Sequence, residues 1–163
     1  MIDSADLLLW EFGRKCAIRD GDGRLVGFFV LYHGDYEIVA YDSNGGVVFG
    51  MECLRENRWW GSFVRGFRVI DGHGRILGVI DPSGNVRVDG VPIAEFRGRG
   101  IRPRYEVRAV RDHRQLAVVR LTQRLLRRRL ELHIVAAIHD DLRKLLLATT
   151  YAISVDIHRD RAE

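Results

Sequence analysis

Apolar and polar residues alternate with a period of two over most of the first 137 positions, and short glycine-bearing segments break the alternation. Positions 16–20 lead into Gly21, Asp22 and Gly23, and an apolar run resumes over 25–30. Positions 36–42 lead into Ser43, Asn44, Gly45 and Gly46 before 47–51, and 67–71 lead into Gly72, His73 and Gly74 before 76–80. Asp-Gly and Asn-Gly between alternating runs predict β-hairpins, because glycine takes the positive φ of a tight turn without steric cost. A degenerate fourth copy joins 105–110 to 115–119 across Asp112 and His113. Asp20, Asp42 and Asp71 open the three regular turns, where a carboxylate can bond the backbone N–H groups that follow. Shorter strands are predicted over 7–12, 86–88 and 93–96, with turns at 81–84 and 89–92. The sum is about twelve strands, at the spacing of roughly 8–12 residues expected of a barrel or sandwich.

The period changes near residue 140. Asp140 and Asp141 suit the start of a helix, where carboxylates meet the positive end of its dipole. The 11 residues between Lys144 and Asp156 carry no charge on any face. A helix apolar all round is buried in protein or in lipid. Eleven residues rise only about 16–17 Å, against about 30 Å for a bilayer core, so burial in protein is expected. An all-β chain with one such helix, about 140–157, suggests a barrel threaded by it.

Composition narrows the class. The chain has 163 residues, 47% hydrophobic and 29% charged, which excludes a disordered chain and fits one domain over 1–163. No run of 18 apolar residues exists, so no transmembrane segment is expected. Cys16 and Cys53 are isolated and read as small buried hydrophobes in a reducing compartment. The acidic N-terminus lacks the features of a secretory signal, and a cytoplasmic location is expected. The net charge of +4 is unevenly laid out: residues 1–90 carry 10 basic and 13 acidic side chains, residues 91–163 carry 16 and 9. The window 97–130 holds 12 arginines against Glu106 and Asp112.

The repeated aromatic-x-Val/Ile-x-Asp-x-x-Gly hairpins at Tyr36, Phe67 and Tyr105, followed by the closing segment 141–156, resemble the tubby C-terminal-like superfamily. The resemblance is nearest to LURP-one-related proteins and more distant to phospholipid scramblases, and it spans about 14–158. It implies a closed, roughly twelve-stranded antiparallel barrel around a buried C-terminal helix. It also implies non-catalytic roles, since tubby proteins bind phosphoinositides and scramblases associate with membranes and calcium. The chain departs from scramblases in having no cysteine-rich palmitoylation segment and no Pro-rich N-terminal arm.

Arg97, Arg99, Arg102 and Arg104 sit in a Gly-rich loop and are the first candidates for an anion site. Guanidinium forks pair with phosphate oxygens, and glycines let backbone N–H groups approach. The bland reading of the same loop is a solvated face. Arg120, Arg124, Arg127, Arg128 and Arg129 form a second cluster. As a helix, Arg120, Arg124 and Arg127 would share a face; as strands, Leu130, Leu132 and Ile134 alternate with Arg129, Glu131 and His133. The resemblance favours two strands joined near 125–128. Trp59 and Trp60, among Arg55, Arg58, Phe63 and Arg65, are candidates for membrane or partner contact, or one of them caps the core at a barrel rim.

The six histidines have no ligand-spaced partners, no calcium loop is complete, and no nucleophile elbow or dinucleotide fingerprint is present. No metal, cofactor or enzymatic activity is expected. The expectation is a non-enzymatic binding module for anionic phospholipid headgroups or membrane surfaces, cytoplasmic or peripheral to a membrane. The alternatives are a scaffold for an acidic protein and a nucleic-acid binder using the same basic face.

Overall fold

The alternation closes on itself. In a computed structural model, which describes residues 2, 4–12, 14–32, 37–58, 61–98, 104–124 and 127–159, twelve antiparallel strands follow one another round a closed barrel. They are β1 (Asp6–Phe12), β2 (Lys15–Asp20), β3 (Leu25–Tyr32), β4 (Glu37–Asp42), β5 (Val47–Arg58) and β6 (Gly61–Asp71). They continue as β7 (Ile76–Ile80), β8 (Val86–Val88), β9 (Val91–Gly98), β10 (Arg104–Ala109), β11 (Gln115–Arg124) and β12 (Arg127–Ile134). Each strand pairs with its sequence neighbours, and β1 pairs with β12 to close the ring, Leu7 opposite Leu132 and Leu9 opposite Leu130. Closure leaves no open sheet edge. The arginine-rich segment 120–129 therefore forms two strands, Arg120 opposite Glu131 and Arg124 opposite Arg127.

One chemical device makes four of the turns. Asp20, Asp42, Asp71 and Asp81 each accept two backbone N–H groups on one carboxylate oxygen, from the residues two and four positions on, at 2.8–3.0 Å. A glycine three positions after each aspartate takes φ between 82° and 85°. The bulges beside the first three turns follow from the extra residue each turn inserts. The sequence places a turn at all four, although the one at 81–84 lies between short strands and is not a copy of the repeated hairpin. The turn at 110–114 is one residue longer and places His113 at φ 57°.

Alternate side chains of the strands enter one core, including Leu9, Ile18, Phe29, Ile38, Phe49, Met51, Leu130 and Leu132. The helix α1 (Asp140–Arg159) runs through that core. Eight consecutive residues, 145–152, are buried. A helix packed against one wall would bury a single stripe, so burial all round identifies a helix enclosed by the barrel. Tyr151 stacks on Phe29 at 4.3 Å between ring centroids. Thr149 and Thr150 are dry without polar cost, because their hydroxyls donate to the Leu145 and Leu146 carbonyls at 2.8 Å. At the helix start, Asp141 accepts from Arg75 at 3.0 Å, and Arg75 also holds Asp71 at 3.0 Å.

Candidate functional site

An antiparallel meander sorts its connections into two sets. Turns from odd to even strands lie at one end of the barrel, and turns from even to odd strands lie at the other. Among the described strand-terminal and turn residues, the first end carries Arg14, Lys15, Arg58, Arg104, Arg124 and Arg127 against Glu37 and Asp81. The second end carries seven aspartates, from Asp6 to Asp112, against Arg24, Arg75, Arg111 and Arg114, and the helix begins there with Asp140 and Asp141. Among the described residues one end of the barrel is thus predominantly cationic and the other predominantly acidic.

The expected anion-binding residues divide on this frame. Arg97 is held by Glu95 of its own strand at 2.7 Å, so its charge is locally matched. Arg104 opens β10 at the cationic end. The backbones of Arg124, Arg127 and Arg128 lie at the β11–β12 hairpin of that end, Gln123 opposite Arg128. Arg99, Arg102, Trp59 and Trp60 lie outside the described residues, although the strand ends that flank them, Arg58, Gly61, Gly98 and Arg104, all lie at the cationic end. The mouth of the barrel at this end holds a hollow of about 490 Å³ lined by Phe67, Ile80, Phe96, Tyr105 and Ile153, with the turn at Asp81 beside it.

A second concavity lies on the outer wall. It has a cavity volume of about 650 Å³ and crosses β10, β11, β12 and β1, with the β2–β3 turn at its acidic extreme. Arg104 and Arg120 line it as direct cross-strand partners. Both are exposed, and neither has an ion-pair or hydrogen-bond partner among the described residues. Like charges set opposite one another weaken a sheet, so the pair contributes nothing favourable to the barrel itself. Arg129 lines the same groove and bonds Glu131 at 3.1 Å. Towards the acidic end Asp6 bonds His133, and Asp20 follows. Leu8, level with Arg120 and Glu131, and Val118, level with His133 and Asp6, add apolar surface to the groove.

Sequence reading groups Arg120 and Arg129 with their basic neighbours and finds nothing at Asp6 or His133. Those two residues meet because β1 closes on β12, a contact across more than a hundred residues that no local pattern announces. Among the described residues no three His, Cys, Asp or Glu side chains gather as metal ligands. No helix of the described residues is long and apolar enough to cross a membrane.

No protein-family profile matches the chain, and no curated protein matches it in sequence. Among solved structures the chain is similar to the Arabidopsis thaliana protein AT5G01750, determined by X-ray crystallography. The two share 12% sequence identity at a TM-score of 0.51, over 93% of this chain and 90% of the other. At that identity the likeness is one of fold, a barrel of the same architecture along nearly the whole of both chains.

Proposed function

We propose that this protein is a non-catalytic binding module of the tubby C-terminal-like superfamily, nearest to LURP-one-related proteins, and that its cationic end docks on anionic phospholipid surfaces. The membership is supported by the order of the Asp-x-x-Gly hairpins, the threaded helix and the near-complete mutual coverage with the Arabidopsis barrel. The docking is carried by one observation, the gathering, among the described residues, of six cationic strand-end and turn residues against two carboxylates at one end of the barrel. Opposite an acidic end, that charge orients the molecule in the field of an anionic surface before contact. In this reading the protein is cytoplasmic and peripheral to the membrane.

Vesicle co-sedimentation tests it. The full chain should sediment at low salt with phosphatidylcholine vesicles containing phosphatidylglycerol, and remain in solution with phosphatidylcholine alone. Basic residues near an anionic surface contribute about 1 kcal/mol each, so Arg124→Gln with Arg127→Gln should weaken binding by about 2 kcal/mol, roughly thirty-fold. Equal recovery on both vesicle types overturns the proposal. Tighter and more salt-sensitive binding to duplex DNA or RNA transfers the cationic end to nucleic acid. Indifference to vesicles with retention of an acidic partner protein transfers it to a scaffold role.

A further inference from the structure

The lateral groove shares Arg104 with the cationic end but is otherwise built from different residues, and its formal charges balance. Arg129 and Glu131 offset one another as an ion pair, which leaves Arg104 and Arg120 at one end of the groove and Asp6 and Asp20 at the other, with His133 beside Asp6. With His133 neutral the formal sum is zero, so a simple anion gains from one half of the groove and loses to the other. A ligand carrying both signs gains from both.

The chemistry of each half narrows the ligand. One guanidinium fork saturates both oxygens of a carboxylate. Two forks side by side, Arg104 and Arg120, without partners among the described residues, call for the additional acceptor oxygens of a phosphate. In the acidic half, Asp6 is bonded to His133, and Asp20 spends one oxygen on the N–H groups of Asp22 and Arg24. The second Asp20 oxygen has no hydrogen-bond partner among the described residues. Carboxylates suit a primary ammonium, which has three N–H donors. A quaternary ammonium would call for aromatic faces, and no Phe, Tyr or Trp lines the groove among the described residues. Arg120 stands opposite Glu131, while Asp6 lies one strand further round and two residues further along. That places their Cα atoms on the order of 12 Å apart, from strand spacing and rise. The arginine stem fills much of this span and leaves a few bonds between the two charges of the ligand.

We propose that the lateral groove binds a phosphoester bearing a primary amine, with the phosphate on Arg104 and Arg120 and the ammonium between Asp6 and Asp20. Such a group exists as free O-phosphoethanolamine and as the headgroup of phosphatidylethanolamine. Calorimetric titration of the full chain with O-phosphoethanolamine, phosphocholine and inorganic phosphate reads the proposal. O-phosphoethanolamine should bind at least about ten-fold tighter than the other two, about 1.4 kcal/mol. Arg120→Gln should abolish that binding, and Asp6→Asn should shrink the preference over phosphocholine, with thermal melts confirming that both variants are folded. A vesicle arm separates the sources. Retention on phosphatidylcholine vesicles only when phosphatidylethanolamine is included assigns the groove to the lipid headgroup, and retention on neither assigns it to the free compound. Equal binding of O-phosphoethanolamine and inorganic phosphate, binding of neither, or binding undiminished in Arg120→Gln overturns the proposal. None of these readouts uses an anionic vesicle, so failure here and failure of the docking reading are told apart.

Discussion

At the scale of single residues, an aspartate does the work usually left to glycine-rich turn sequence alone. The Asp71 carboxylate accepts the N–H groups of His73 and Arg75 at 2.9 Å and the Arg75 side chain at 3.0 Å. The Arg75 backbone N–H, ahead of its side chain and the His73 N–H, pulls the Asp71 pKa down to about 2. Asp42 is lowered for the same reason, by the N–H groups of Gly46 and Asn44. A folded-state pKa below the unfolded value contributes stability that is complete above the unfolded pKa, near 4, and is lost as pH falls towards 2. Asp71→Asn should therefore lower the melting temperature by a constant amount above about pH 5, and the gap to the parent chain should close between about pH 4 and 2. A pH-independent gap would contradict this account. Gly78 shows the other residue-scale constraint. A Cβ there would stand 2.6 Å from the Arg87 carbonyl oxygen and 3.2 Å from Leu145 of the helix. Gly78→Ala is expected to cost about 1–3 kcal/mol, read as a lower urea midpoint.

At the scale of elements, the helix and the strands are legible to different degrees. Strict alternation and the Asp-x-x-Gly turns make most strands readable, and 86–88 is found as it stands. The strands β5 and β6 run well past their predicted ends, to Arg58 and from Gly61, because cross-strand pairing carries polar residues such as Glu52, Arg55 and Glu56 that break the apolar pattern. The helix is legible from the opposite signal, a stretch without charge, since enclosure by a barrel removes the polar face that surface helices keep. Its packing sets the size of a test. Leu146 is fully buried among barrel side chains, and Leu146→Ala should cost about 2–5 kcal/mol in urea denaturation. A loss under about 1 kcal/mol would mean that the helix is only loosely held.

For the whole molecule, the charge asymmetry visible between the two halves of the sequence is not the one that matters in space. Folding a meander interleaves the halves, so that alternate turns, and not alternate halves, share an end. The acidic end takes Asp22 and Asp42 from the first half and Asp112 and Asp140 from the second. Seeing this in the sequence requires the parity of every strand, and one missed strand would invert all later assignments. The groove is less legible still, because Asp6 and Asp20 come from one end of the chain and Arg104, Arg120 and Arg129 from the other. The closure of β1 on β12 and the late position of α1 also bear on how the protein is made. During synthesis the hairpins can form one by one, but β1 waits for β12, and the centre stays empty until Leu145 to Ala152 arrive. Contacts of that sequence separation form slowly and leave apolar surface open to aggregation in the meantime. A chain stopped at Ile138 should retain all twelve strands yet be cut rapidly by protease, while the full chain resists. The wall thus closes only shortly before its filling arrives, and for most of its synthesis the nascent chain is an open sheet whose apolar inner face needs protection.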